Sequence, residues 1–218
     1  MAAPVAPAAS LVDVVAVEGG FPLLAGVSLE IDPATLTVVT GANGAGKTSL
    51  LRLLAGTLAL REGHAVVAGV DLATGDTREL RRRVGWLGHE GSFYDDLTAR
   101  ENLVFCARAL GRPVDAIDPA LERVGLARRS TSPAKRLSAG QRRRLALAWL
   151  LVRRPLVWLL DEPYASLDDE GRGFFDALVG DVTAAGATVV VTAHDPLRST
   201  ALRPRTVTLA GGRVVGDS

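Results

Sequence analysis

Gly41, Ala42, Asn43, Gly44, Ala45, Gly46, Lys47 and Thr48 spell the pattern G-x4-G-K-[ST], a phosphate-holding P-loop. Glycines let backbone N–H groups approach phosphate oxygens, and a helix N-terminus just beyond adds partial positive charge. In this pattern Lys47 reaches the β- and γ-phosphates of a nucleotide, and the Thr48 hydroxyl, with Ser49 next to it, faces a Mg²⁺ ion. Only two of the 25 basic residues are lysines, Lys47 and Lys135. A chain so biased toward arginine keeps lysine where a compact ammonium is needed. A second group of chemistry-bearing residues is Asp161-Glu162, at the end of the apolar run LVWLL at 156–160. Beside a P-loop strand, Asp161 can hold the Mg²⁺ shell, and Glu162 can act as a base that polarises a water. The third is LSAGQ at 137–141. Ser138 and Gln141 form a capping box, and Gly140 exposes backbone at the same helix end. One nucleotide already has its P-loop, so this second phosphate-binding end points to the nucleotide of another subunit.

The elements needed to position these residues are legible in outline. Residues 11–17 and 27–31 read as strands, and residues 35–40 (TLTVVT) as a third that runs into the glycine loop. Leu50, Leu51, Leu54 and Leu58 then mark one face of a helix. Residues 156–160 and 188–192 (TVVVT) are continuous apolar runs, as strands covered on both faces require. A helix between them carries Phe174, Leu178 and Val182, with Gly171, Gly173 and Gly180 weakening it. Together these give a parallel βαβ core. Between about 92 and 150 the pattern is helical. Thr98 to Glu101 is a capping box, and Asp118-Pro119 reads as an N-cap followed by proline at the first helical position. Residues 203–216 read as a hairpin turning at Gly211-Gly212.

The expected fold class is therefore α/β, a P-loop NTPase (RecA-like) core with N-terminal antiparallel strands and a helical subdomain insertion. The core is expected over about 11–90 and 153–218, the helical subdomain over about 91–152. Residues 1–10, Ala- and Pro-rich without a charged start, read as a disordered tail rather than a signal peptide.

Composition sets the outer bounds. Apolar residues are 48% and charged residues 22%, a globular balance with a sizeable core. The net charge of +1 lacks the footprint of a nucleic-acid binder. The arginine clusters at 81–83, 142–144 and 153–154 read as solvated helix faces. No run of about 18 uncharged apolar residues appears, so a membrane span is not expected. One cysteine, Cys106, excludes an internal disulfide and reads as a small core residue. His64 reads as a surface residue before a strand. Three scattered histidines and one cysteine offer no structural zinc or haem ligand set.

With these pieces in order, the sequence resembles the ATP-binding cassette family. The resemblance rests on GANGAGKT at 41–48, LSAGQ at 137–141, LVWLLDE at 156–162, Ser166-Leu167-Asp168, and His194 in VTAH at 191–194, and it covers about residues 11–215. It implies a head-to-tail dimer, in the first instance of two identical chains, with ATP and Mg²⁺ held between the P-loop of one chain and LSAGQ of the other. It also implies a catalytic role for His194 beside Glu162 and coupling to an integral membrane permease, which places the chain in the cytoplasm, peripheral on the inner face of the cell membrane. The family commonly has glutamine where this chain has His89 and Glu90. On that likeness His89 is a nucleotide-site residue, and His89 or Glu90 is a candidate Mg²⁺ contact. Phe21 is the candidate aromatic for adenine. WLGHEGSFYDDLTARENL at 86–103 is similar to the ATP-binding subunit of haem exporters in cytochrome c biogenesis, with Glu90 replacing a usual glutamine. Another small-molecule or drug exporter is the alternative within transport. A soluble non-transport cassette ATPase is less favoured, because such proteins usually carry two cassettes or a long coiled coil.

Overall fold

A computed structural model describes residues 6–88, 93–164, 167, 169–194 and 203–218. The chain forms two compact units, residues 1–86 with 156–218 and residues 87–155.

The first unit contains two sheets. β1 (Ala9–Glu18) pairs antiparallel with β2 (Phe21–Ile31) and β4 (Glu62–Val67), and β5 (Val70–Asp71) extends that sheet. The strand begins at Ala9, which is buried, and Ala8 N–H donates to Ile31 O, so the expected tail over 1–10 is ordered from its last residues onward. The second sheet runs β10-β9-β3-β8-β7-β6, with β3 (Leu36–Thr40), β6 (Val84–Leu87), β7 (Val157–Leu160), β8 (Thr188–Thr192), β9 (Arg205–Ala210) and β10 (Arg213–Asp217). β3 is parallel to both β8 and β9, and β7 is parallel to β8. Every residue of β3, β7 and β8 is buried, the threonines of β3 and β8 included, which explains the unbroken apolar run of β7 and the valine-rich runs of the other two. β9 and β10 form the terminal hairpin, turning at Gly211 and Gly212.

α1 (Lys47–Leu54) lies in the core. Leu50, Leu51, Leu53 and Leu54 are all fully buried, and the helix packs against β2, β7 and β8. Each such leucine contributes about 1.5–3 kcal/mol of burial, so the helix following the glycine loop is anchored by its side chains. α2 (Thr77–Arg83) is capped by Asp76. α6 (Asp169–Ala184) buries Phe175, Leu178 and Val179; Phe174 and Val182 are only half-buried, so the core face lies one position off the expected one. Its glycines are tolerated because that apolar face supplies the stability that propensity withholds.

The second unit packs α3 (Ala99–Ala109), α4 (Ile117–Arg123) and α5 (Ala139–Arg153) against one another. Both expected capping boxes form, Thr98 with Glu101 and Ser138 with Gln141. α4 differs from expectation. A short 3₁₀ turn over Val114–Ala116 runs straight into it, Ala116 is the N-cap, and Asp118 sits in the first turn paired with Arg100 at 2.9 Å. Pro119 is still accommodated, because N–H groups of a first turn have no intrahelical acceptor to lose. Asn102, 4% exposed, clips the preceding loop: its amide donates to the carbonyls of Tyr94, Leu97 and Thr98 and its oxygen accepts from Tyr94 N–H.

The arginine clusters are not all solvated. Arg81 and Arg82 are exposed, but Arg83 bonds Glu79 and the Ala68 carbonyl, and Arg142 to Arg144 are half-buried. Arg153 lies over the Trp149 ring, 4.9 Å from its centroid. His64 lies within β4 rather than before it, exposed and 3.9 Å from Asp71. Among the described residues, no helix is long and apolar enough to cross a membrane.

Cys106 is buried on α3, and burial pushes its thiol up to about 11. Its folded value lies above the ordinary one, so the native chain keeps the thiol neutral through the range where an unfolded thiol ionises. Iodoacetamide at pH 8.5 is therefore expected to label the native chain at least tenfold more slowly than the chain in 6 M guanidinium; equal rates would show the thiol to be accessible.

Candidate functional site

The glycine loop leaves β3 at Thr40 and enters α1 at Lys47. Gly41 has φ +141°, and a Cβ there would lie 2.3 Å from Leu209 O on β9, so only glycine fits. Gly46 caps α1 with φ +105° and offers no side chain to the helix end. This contrasts with α3 and α5, whose first turns are closed by their capping boxes. The first-turn N–H groups of α1 have no intrahelical acceptor and point at whatever occupies the loop. Ala45 N–H bonds back to Ala42 O, while Gly212 N–H donates to Ala45 O and ties the loop to the β9–β10 turn.

Lys47 is buried at 6% exposure and folds over the loop, its Nζ donating to Gly41 O at 2.7 Å and Ala42 O at 3.2 Å. Its ammonium therefore lies inside the cradle of loop donors. Thr48, in the first turn, donates to Asp161 Oδ2 at 3.0 Å. Asp161 follows the last residue of β7, is 3% exposed, and accepts from Thr192 Oγ1 at 2.6 Å. Glu162 has φ +45°, a left-handed conformation that costs a non-glycine residue about 1–2 kcal/mol. Its N–H donates to Thr192 Oγ1 at 2.8 Å, and its Oε1 lies 3.2 Å from His194 Nε2. His194 is mostly exposed and Glu162 is partly so, which puts this pair at the solvent side of the buried Asp161. Tyr164 extends the same turn toward α6, its hydroxyl donating to Asp176 at 2.6 Å and its ring meeting Phe175 edge-on. Burial pushes the Tyr164 phenol far above its ordinary range, so it stays a donor.

This arrangement suits a hard divalent cation. Thr48 and Asp161 offer oxygen donors at one point. Mg²⁺ is the cation that needs few protein ligands and takes the rest from phosphate and water.

The structure thus brings together Gly41 to Thr48, Asp161, Glu162 and His194 on one edge of the parallel sheet. Ser138, Gly140 and Gln141 are brought together separately, at the N-terminus of α5 in the second unit. Ser138 N–H donates to Gln141 Oε1 at 3.1 Å, Gln141 N–H donates to Ser138 Oγ at 3.2 Å, and a Cβ on Gly140 would meet no atom within 4 Å. Phe21 is 75% exposed at the start of β2. His89, Glu90, Ser166 and Asp168 lie outside the described residues. Thr192 was not expected; its one signal in sequence is a hydroxyl closing the run TVVVT two residues before His194.

Residues 24–165 match the profile of the family described as ABC transporter. The chain is 42% identical over 174 residues to the cytochrome c biogenesis ATP-binding export protein CcmA 2 of Cupriavidus metallidurans, across 79% of this chain and 82% of that protein. It is 45% identical over 183 residues to CcmA of Rhodopseudomonas palustris, across 83% of this chain and 88% of that protein. Among solved structures it superposes on a dimeric post-hydrolysis state of an ATP-binding cassette bound to ADP and Pi, with TM-score 0.86 and 24% identity over 96% of this chain and 97% of that one. The ADP conformation of another ABC transporter cassette gives TM-score 0.85 and 21% identity over 98% of this chain and 91% of that one. At such identities the solved structures establish the fold: an α/β P-loop ATPase core.

The loop geometry separates two glycines. At Gly41 an added Cβ runs into the Leu209 carbonyl, whereas at Gly44, φ +77°, it meets nothing within 4 Å. Gly44→Ala is expected to cost about 1 kcal/mol of stability in the nucleotide-free chain, from backbone conformation alone. Gly41→Ala should cost clearly more, because strand β9 or the loop must move. Equal thermal melting shifts for the two would contradict the close approach at Gly41.

Proposed function

The chain belongs to the ABC transporter family, and on that premise we propose that it is the ATP-hydrolysing subunit of a haem-exporter-type transporter acting in cytochrome c biogenesis. The transport half of this reading is supported by relatives named CcmA at 40–45% identity over most of the chain. The hydrolysis half is carried by one observation: a buried Asp161 shared by Thr48 and Thr192, with Glu162 and His194 immediately outside it and Lys47 inside the adjacent loop.

In this reading the loop N–H groups of residues 41–46 and the first turn of α1, including Ser49, hold the phosphates of ATP, and Lys47 neutralises the β- and γ-oxygens. Thr48 and Asp161 hold Mg²⁺. When bound, that ion would offset the charge that develops on the phosphate oxygens. Glu162 orients the attacking water and takes up its proton. His194, with a proton on Nε2, donates to Glu162 Oε1 and helps fix the direction of that carboxylate. The left-handed backbone of Glu162 is strain of the kind that clusters at working sites.

Ser138, Gly140 and Gln141 form the second phosphate-facing helix end, which takes the ATP held by another chain in a head-to-tail dimer of identical subunits. The membrane half is a separate integral permease, which holds this chain at the inner face of the cell membrane. On the family likeness His89 is assigned to the nucleotide site, and His89 and Glu90 are both of a chemistry that can bind in a Mg²⁺ shell.

Two outcomes test this. Glu162→Gln keeps the side-chain shape and loses the base, so turnover is expected to fall by roughly 10²- to 10⁴-fold while ATP binding is retained. With ATP and Mg²⁺, Glu162→Gln should elute as a dimer on sizing, and adding Ser138→Arg should return it to the monomer position; a monomer throughout, even with the membrane subunit present, would overturn the sandwich. For the transport half, a strain lacking the chain is expected to lose covalently haem-stained c-type cytochromes. Wild type should restore them and Lys47→Ala should not, whereas normal cytochromes in the deletion strain would assign the transporter another cargo.

A further inference from the structure

Thr192 is the last residue of β8 and is fully buried. A buried hydroxyl after three valines of β8 must find partners or carry the desolvation cost of an unpaired polar group. It finds both of the acidic residues assigned above. Oγ1 donates its single proton to Asp161 Oδ1 at 2.6 Å, and its lone pair accepts the Glu162 N–H at 2.8 Å. The first contact is a short, charge-assisted bond of the stronger kind. The second holds the backbone of a residue whose φ of +45° is intrinsically unfavourable.

The position of this hydroxyl is set by sheet register. Thr192 pairs with Val39 across the parallel β3–β8 ladder, and Ala193 N–H donates to Val39 O just beyond it. β7 ends one step earlier, with Leu160 level with Val191. The hydroxyl therefore sits level with the point where β3 turns into the glycine loop and β7 turns into Asp161-Glu162. Threonine suits the position because its branched Cβ restricts χ1 in a strand, so the hydroxyl has one direction. Serine would supply the same hydroxyl with more rotational freedom, and valine the same shape with no hydroxyl.

From this geometry we infer that Thr192 is a positioning residue for ATP hydrolysis: one hydroxyl sets both the orientation of the Asp161 carboxylate and the left-handed turn that aims Glu162. The inference rests on the reading of Asp161 and Glu162 proposed above. Thr192 touches no substrate atom and transfers no proton in the reaction. It acts by fixing where the two acids stand. Thr48 meets both carboxylate oxygens, Oδ2 at 3.0 Å and Oδ1 at 3.2 Å, while Thr192 meets Oδ1 alone at the shorter 2.6 Å. Without Thr192 the carboxylate loses the shorter of its two threonine hydroxyl bonds, and the Glu162 turn loses the acceptor of its N–H. Small displacements of reacting groups have large kinetic consequences, on the order of a hundredfold for about 1 Å.

The test separates positioning from packing. Purified full-length wild type, Thr192→Val, Thr192→Ser and Glu162→Gln are compared in steady-state ATP hydrolysis with Mg²⁺, and in ATP binding in EDTA. Amide hydrogen exchange of the Glu162 segment is followed in the nucleotide-free chain. Thr192→Val is expected to lower kcat by roughly ten- to a hundredfold, with KM and ATP affinity in EDTA within about threefold of wild type. It should also speed exchange of the Glu162 amide by at least tenfold. Thr192→Ser should return kcat and exchange to within about threefold of wild type. If valine does not give a folded chain, Thr192→Cys takes its place, since a thiol is a weak donor and acceptor and kcat should fall with it too. A valine or cysteine variant with kcat within twofold of wild type and an unchanged Glu162 amide would overturn the inference while the loss of turnover in Glu162→Gln leaves the hydrolysis reading standing. A fall in melting temperature with kcat unchanged would make Thr192 a packing residue only. Full turnover in Glu162→Gln would remove the reading and this inference together.

Discussion

A carboxylate that is only 3% exposed dictates much of the arrangement around it. Asp161 carries its charge only if donors replace the water it has lost. Two of them are threonine hydroxyls, Thr48 from the first turn of α1 and Thr192 from the end of β8. For both to arrive, the β7–β8 and β3–β8 registers must be correct and the glycine loop must deliver α1 at one height. A slip of one residue in β8 would turn Thr192 to the other face of the sheet and bring a valine or alanine to the carboxylate. The fully buried leucines of α1 resist the matching slip on the helix side. Site geometry and core packing are in this sense one requirement.

The local rules that ordinary elements obey are broken where this carboxylate and the loop meet. α3 and α5 begin with complete capping boxes, whereas α1 begins at a glycine with no side-chain cap. Glu162 is one of few non-glycine residues at positive φ, and it follows the buried acid directly. Departures of this kind are expected where function rather than stability sets the conformation. The cost at Glu162 is partly offset by the Thr192 bond to its N–H.

Much of this was legible in the sequence because the deciding constraints are local. The glycine pattern, the apolar runs at 36–40, 157–160 and 188–192, and both capping boxes are each set by residues within a few positions of one another. What escaped depends on distant partners. Asp118 reads as a cap, but Arg100, 18 positions away, takes its carboxylate and the 3₁₀ turn at 114–116 carries the helix start upstream. The face of α6 centres on Phe175 rather than Phe174 because the sheet it packs against fixes its rotation. β5 and α2 were not expected: β5 has two residues, and α2 is short, polar and rich in arginine; of β4 only a strand after His64 was expected, and it starts upstream of that residue. Thr192 belongs to the same class, since nothing within TVVVT says that the final hydroxyl will meet two acids 30 and 31 positions back.

The two glycine-bearing helix ends answer different needs. At α1, Gly46 leaves the whole first turn of donors to the loop of the same chain. At α5 the capping box already occupies Ser138 N–H and Gln141 N–H, so the donors without an intrahelical acceptor are those of Ala139 and Gly140. Any side chain at position 140 would stand in open space and cost nothing in packing, and alanine there would raise helix propensity by up to about 1 kcal/mol. Folding therefore gives no reason for glycine at this position, and Gly140 is not in the left-handed region where glycine is required. Under the head-to-tail dimer proposed above, that glycine would allow close approach of the phosphates held by the second chain, and the donors beside it suit a negatively charged group.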